Sequence, residues 1–128
     1  MNPYSAADAY RQASIENAPP LKVVKMLYET AIRCLGQALK EDPRDPASAF
    51  LDLVHKVDTI VSELRLALVH EHAPEIAANL ERLYLFVERA LFQAGTDRDA
   101  APLADARQVL VTLLDGWKRV DASEVEAA

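Results

Sequence analysis

The side chains best suited to bind a metal, carry a phosphoryl group or act as a nucleophile are three histidines and one cysteine. His70, Glu71 and His72 cluster, but residues two apart at a helix end point in different directions. A solvated helix end, with histidine near the negative pole of the dipole, accounts for them better than a metal site. Cys34 falls at the edge of an apolar arc, with no base beside it in the pattern, and reads as packing rather than as a nucleophile. The chain has no Gly-rich phosphate loop, no Cys-x-x-Cys, no His-Glu-x-x-His and no inward-facing Glu-x-x-His repeat of the di-iron kind. The expectation is therefore no catalytic residue, no metal and no cofactor.

His55 is the one histidine with a specific alternative. Histidine phosphotransfer domains are four-helix bundles with an exposed histidine on the second helix, and His55 lies on the polar side of its segment. That chemistry needs a lysine and a small residue on the next turn to meet the phosphoryl oxygens. Here Asp58 and Thr59 stand there, and a carboxylate repels the phosphate. Lys56 points about 100° away. An ordinary exposed histidine is the better reading.

Whatever these residues do, helices must position them. The 128 residues suit one domain, and 51% are apolar with only 6% aromatic and three glycines. Ala, Leu and Val mixed with Glu, Lys and Arg favour helix on propensity alone. The net charge of −6 repels phosphate backbones and anionic lipid, which argues against nucleic-acid and membrane partners. No apolar run approaches ~18 residues, so no membrane insertion is expected. Met1 to Tyr10 lacks the basic and apolar regions of a signal peptide. A single cysteine leaves no internal disulfide, and the expected compartment is the cytoplasm.

Proline and glycine punctuate the chain into helices near 19–41, 46–70, 74–94 and 100–120, preceded by a segment 1–18 and followed by a disordered tail 121–128. Ala18-Pro19-Pro20 opens the first helix, and Asp45 ahead of Pro46 is a candidate N-cap for the second. Pro74 opens the third, Gly95 is a candidate left-handed residue to stop it, and Asp99 is a candidate cap for the fourth. Short connections make successive helices antiparallel. The fold class is all-α: an antiparallel four-helix bundle with an N-terminal segment that extends helix one or packs along the bundle.

The 3.6-residue period supports this. Leu21, Val24, Leu27, Tyr28, Ala31, Leu35, Ala38 and Leu39 share one arc of the first helix, and comparable stripes recur in the second and fourth. The third helix departs from the pattern. Ile76, Leu80, Leu83, Tyr84, Val87, Ala90 and Leu91 make its core stripe, yet Leu85 and Phe92 lie seven residues apart on another side, beside Glu81 and Glu88. Met26, Leu51, Leu66 and Val111 are smaller irregularities. In the first 18 residues Tyr4, Tyr10 and Ile15 are too sparse to build a face of their own.

Read in order, the segments resemble the flagellin-specific export chaperone family, FliS, over essentially the whole stretch from Tyr10 to Trp117. The resemblance is carried by Ala9-Tyr10-Arg11-Gln12, by Ala18-Pro19 leading to Leu21 and the run Met26 to Ile32, by Glu75-Ile76-Ala77-Ala78-Asn79-Leu80 with Leu83-Tyr84 and Phe86-Val87, and by Trp117 near the end of the last helix. The chain differs from the family in having Glu29-Thr30 after the tyrosine of helix one and Ala73-Pro74 before helix three.

The resemblance implies a cytoplasmic chaperone, not an enzyme. It would bind the C-terminal, polymerisation-prone segment of flagellin, prevent early assembly and engage the flagellar export apparatus. A partner segment of that kind wraps around the bundle. The residues expected to bind it are Leu85 and Phe92, with Met26 and Val111 as lesser candidates and Tyr10 and Ile15 as a displaceable cover. The expected oligomeric state is a monomer or weak homodimer, and the competing classes are the phosphotransfer domain and a self-associating structural bundle.

Overall fold

The computed structural model describes residues 21–71 and 73–127, with side chains described through Arg119. Among these residues there are four helices and no strand: α1 Leu21–Ala38, α2 Phe50–Leu66, α3 Pro74–Asp97 and α4 Ala101–Ala127. The segment 1–18, with Tyr10 and Ile15, lies outside the described residues.

Each helix packs on two neighbours. α1 meets α2, α2 meets α3, α3 meets α4, and α4 closes back onto α1. The diagonal pairs, α1 with α3 and α2 with α4, do not bring their backbones together. The helices therefore form a square around one core, whose fully buried members include Tyr28, Leu35, Phe50, Leu64, Tyr84, Leu91, Leu103 and Leu110. Cys34 is buried and packs within that core. No helix among the described residues is long and apolar enough to cross a membrane.

Across the open diagonal, the Tyr28 and Tyr84 hydroxyls hydrogen-bond to each other. The two rings lie 6.3 Å apart, and Trp117 of α4 sits 6.4 Å from Tyr28. Trp117 also hydrogen-bonds to Tyr28, as donor, because an indole N–H can only donate. Three helices thus meet at one buried hydroxyl. Burial pushes the Tyr28 phenol up to about 12 against the pull of these two hydrogen bonds.

Helix ends differ from the sequence expectation where short-range chemistry competes with the helix. α2 starts at Phe50 rather than near 46. Asp42 and Asp45 turn their carboxylates onto the N–H groups of Arg44 and Ala47, at 3.0 and 2.8 Å, and build a turn instead of capping the helix. Ser48 Oγ then receives the Phe50 N–H at 3.3 Å. At its other end α2 stops at Leu66, where the Leu68 N–H closes on the Arg65 carbonyl and tightens the last turn. Leu39, expected in the core arc, follows the last residue of α1 and is exposed.

Gly95 does not end α3. The helix runs on to Asp97, and Arg98 adopts the left-handed conformation, φ 51° and ψ 53°, with its N–H returned to the Ala94 carbonyl. Asp99 accepts the Ala101 N–H at 3.0 Å at the start of α4, as expected. α4 continues through Ala127, beyond the expected end near 120, over residues 118–127 that contain neither proline nor glycine.

Two outcomes test this account. A non-glycine side chain in the left-handed region costs ~1 kcal/mol or more, so Arg98→Gly should stabilise the fold by about 0.5–1 kcal/mol in urea denaturation. For Tyr28 the folded value lies above the unfolded value of 10.0, so the folded chain keeps a proton that the unfolded chain loses. Its stability contribution is whole below pH 10 and is lost as pH rises toward 12. The loss should reach roughly 2 kcal/mol by pH 12 and be absent in Tyr28→Phe, as read from denaturation midpoints across that window.

Candidate partner-binding surface

α3 is the helix with the longest exposed apolar roll: Leu83 is 36%, Phe86 44% and Phe92 75% exposed. The core takes one arc of it, centred on Leu80, Tyr84, Val87 and Leu91. At about 100° per residue, Leu85 and Phe92 fall on the flank toward α2, and Leu83 and Phe86 on the flank toward α4. Between the flanks, Arg82, Arg89 and Gln93 make an exposed polar ridge.

Each flank borders an open groove. The α2–α3 groove encloses about 360 Å³ over a floor of Leu51, Val54 and Leu91, with Phe92 at its rim. Gly95 also lines it; a Cβ there would meet Leu51 and Val54 at 3.8 and 3.9 Å, so glycine leaves the groove open without being demanded by a clash. The α3–α4 groove encloses about 320 Å³ between Leu83 and Phe86 on one side and Val109 and Leu113 on the other. It continues into a hollow of about 170 Å³ against Ile76 and Trp117, sharing Leu83 and Leu113.

The α2–α3 flank also carries an ion pair that holds the helices in register. Arg65 Nε donates to Glu88 Oε2 at 2.6 Å, its second nitrogen donates to Oε1 at 3.3 Å, and Ser62 Oγ donates to Oε1 at 2.8 Å. The nearby Asp58 carboxyl is raised above its ordinary value, chiefly by desolvation and then by the Glu88 charge, with His55 and Arg65 opposing. No cluster of His, Cys, Asp or Glu among the described residues is placed to hold a metal ion.

The structure separates the residues that the sequence grouped. Phe92 stands on the rim of the α2–α3 groove, while Leu85 is half-buried on the same flank and is not part of the groove lining. Met26 is 57% exposed on α1, a helix that packs on α2 and α4 but not on α3. Val111 is half-buried one turn after Arg107, whose Nε lies 3.6 Å from where a Gly36 Cβ would be, so Val111 turns toward α1. Met26 and Val111 therefore do not join the Phe92 surface. The groove residues that sequence reasoning missed are Leu83, assigned to the core stripe, and Phe86. The signal for Phe86 was its angle, roughly 120° from the arc centre and too far round to share the core.

The model of the family described as Flagellar protein FliS matches residues 2–124 of this chain. The chain belongs to the FliS family. Among its relatives, the flagellar secretion chaperone FliSB of Pseudomonas aeruginosa is 31% identical over 116 residues, 88% of this chain and 92% of that protein. The flagellar secretion chaperone FliS of Salmonella typhimurium is 30% identical over 121 residues, 91% of this chain and 90% of that protein. The Bacillus subtilis FliS is 28% identical over 123 residues, covering 96% and 89%. Of the residues that carry the resemblance, Tyr28, Tyr84 and Trp117 are the buried aromatic cluster of this FliS-family chain, while Leu83 and Phe86 line its α3–α4 groove.

Because Phe92 is 75% exposed, Phe92→Ser should change folding stability by no more than about 0.5 kcal/mol, while Phe86→Ser, at a ring more than half covered, should cost roughly 1 kcal/mol. Thermal melts followed by circular dichroism measure this; a loss of several kcal/mol would show that the two rings pack inward.

Proposed function

We propose that this chain is a flagellar export chaperone that binds the C-terminal segment of flagellin in the cytoplasm, keeps it from polymerising early and hands it to the export apparatus. Membership of a family whose relatives are named flagellar secretion chaperones supports the class of function. The observation that carries the binding mode is the pair of apolar grooves on opposite flanks of α3, each edged by an exposed phenylalanine. This reading assigns the chain no reaction, cofactor or nucleic acid.

Magnitudes favour a partner that wraps. Burying one phenylalanine contributes roughly 1.5–3 kcal/mol, whereas association costs at least ~4 kcal/mol in lost freedom. One groove is not enough. A straight helix lying on one flank cannot reach the other, because the polar ridge of Arg82, Arg89 and Gln93 stands between them. A long segment that fills one groove, crosses the ridge and fills the other buries on the order of 1,000 Å² or more, the range of a stable complex.

Co-expression with a flagellin C-terminal segment, followed by gel filtration and light scattering, tests the proposal. The expected result is a stoichiometric complex that Phe86→Ser with Phe92→Ser weakens at least tenfold, about 1.4 kcal/mol. A chain that stays folded and remains alone would overturn the reading, and one that pairs only with itself would replace it with a self-associating bundle.

A further inference from the structure

The α2–α3 groove is apolar along its floor but carries one carboxylate, Asp58, with exposed His55 a turn earlier on the same helix. Asp58 is half-buried and accepts no hydrogen bond from the described residues. Of the cationic groups that favour its ionised form, His55 comes first and the Arg65 guanidinium second, and Arg65 is already engaged by Glu88 through two contacts. Desolvation by burial is the main cost to the ionised form of Asp58, and Glu88 adds a like charge against it. A carboxylate in that position disfavours a partner that is purely apolar or acidic there, and it favours one that brings a cation.

We propose that the α2–α3 groove selects a partner segment bearing a bulky apolar side chain and, about 10 Å along, a lysine or arginine. The apolar group seats against Leu51 and Phe92, over the opening left by Gly95, and the cation pairs with Asp58. This rests on the export-chaperone reading and specifies the chemistry by which that surface recognises its client. The spacing follows from α2 itself: Leu51 and Asp58 are two turns apart, about 10.5 Å at 1.5 Å per residue. A client helix meets that spacing with residues seven apart, and an extended client strand meets it with residues three apart at ~3.3 Å each.

Isothermal titration of a flagellin C-terminal segment into wild-type chain, Asp58→Asn, Asp58→Lys and Phe92→Ser, at low and high salt, tests the inference. Asp58→Asn should bind about five- to tenfold more weakly with a shallower salt dependence, and remain as stable as wild type by thermal melt. Asp58→Lys should bind more weakly still, and one Lys→Glu or Arg→Glu change in the client should restore its binding. In wild type, the Asp58 carboxyl carbon followed by NMR should titrate at lower pH in the complex than in the free chain. Equal affinity and salt slope for Asp58→Asn, with an Asp58 titration unmoved by the client, would overturn the inference while Phe92→Ser still loses binding. Absence of any complex with wild type would instead overturn the functional reading, and this inference with it.

Discussion

The Tyr28 hydroxyl lies at the centre of the bundle, hydrogen-bonded to Tyr84 across the diagonal and to Trp117 from the side. A polar atom so deeply buried is tolerable only when partnered, since an unmet hydroxyl in an apolar interior costs on the order of 1–3 kcal/mol. Meeting that requirement restricts α1, α3 and α4 to one relative rotation and one register. Purely apolar packing would accept several rotations at similar energy, because leucines and alanines interchange readily on a helix face. The hydrogen-bonded cluster makes one arrangement preferable, and with it the placement of everything on the outer side of α3.

Once α3 is clamped by Tyr84, its two flanks have no freedom. Leu83 and Phe86 must face α4, and Phe92 must face α2. Neither flank can rotate inward to cover its apolar edge without withdrawing Tyr84 from Tyr28. The Glu88–Arg65–Ser62 contacts reinforce this from the α2 side. Rigidity in the core and exposed rings on the surface are thus consequences of one constraint. A preorganised surface of that kind loses little further freedom when a partner binds.

Charge adds selectivity to shape. The chain carries a net −6, and the α2–α3 groove places one of its acids where solvent is partly excluded. The α3–α4 groove also has an acidic member, Asp105, but on its exposed rim. The two grooves flanking one helix therefore differ in how strongly their carboxylates would attract a cation, because a partly desolvated charge is screened less than an exposed one.

Much of the fold was legible without coordinates. Apolar residues at helical spacing, broken by Pro43, Pro46, Pro74 and the Asp99 cap, establish four antiparallel helices and most of the core, since period and chain breakers are local properties. The family resemblance was legible for the same reason: the order and spacing of the short runs around Tyr10, Tyr28, Tyr84 and Trp117 can be read along the chain. Helix ends were less so, because Asp42 and Asp45 could have capped a helix or closed a turn, and Arg98 rather than Gly95 took the left-handed residue. The candidate surface was half legible. Leu85 and Phe92 announced themselves by lying off the core arc, with Met26 and Val111 as lesser candidates, and only packing shows that the last two do not share the Phe92 surface. A helical wheel ranks residues by angle around one axis. Which neighbour fills each angle, and where a gap is left between two helices, depends on contacts between segments far apart in the chain, and those exist only in the tertiary structure.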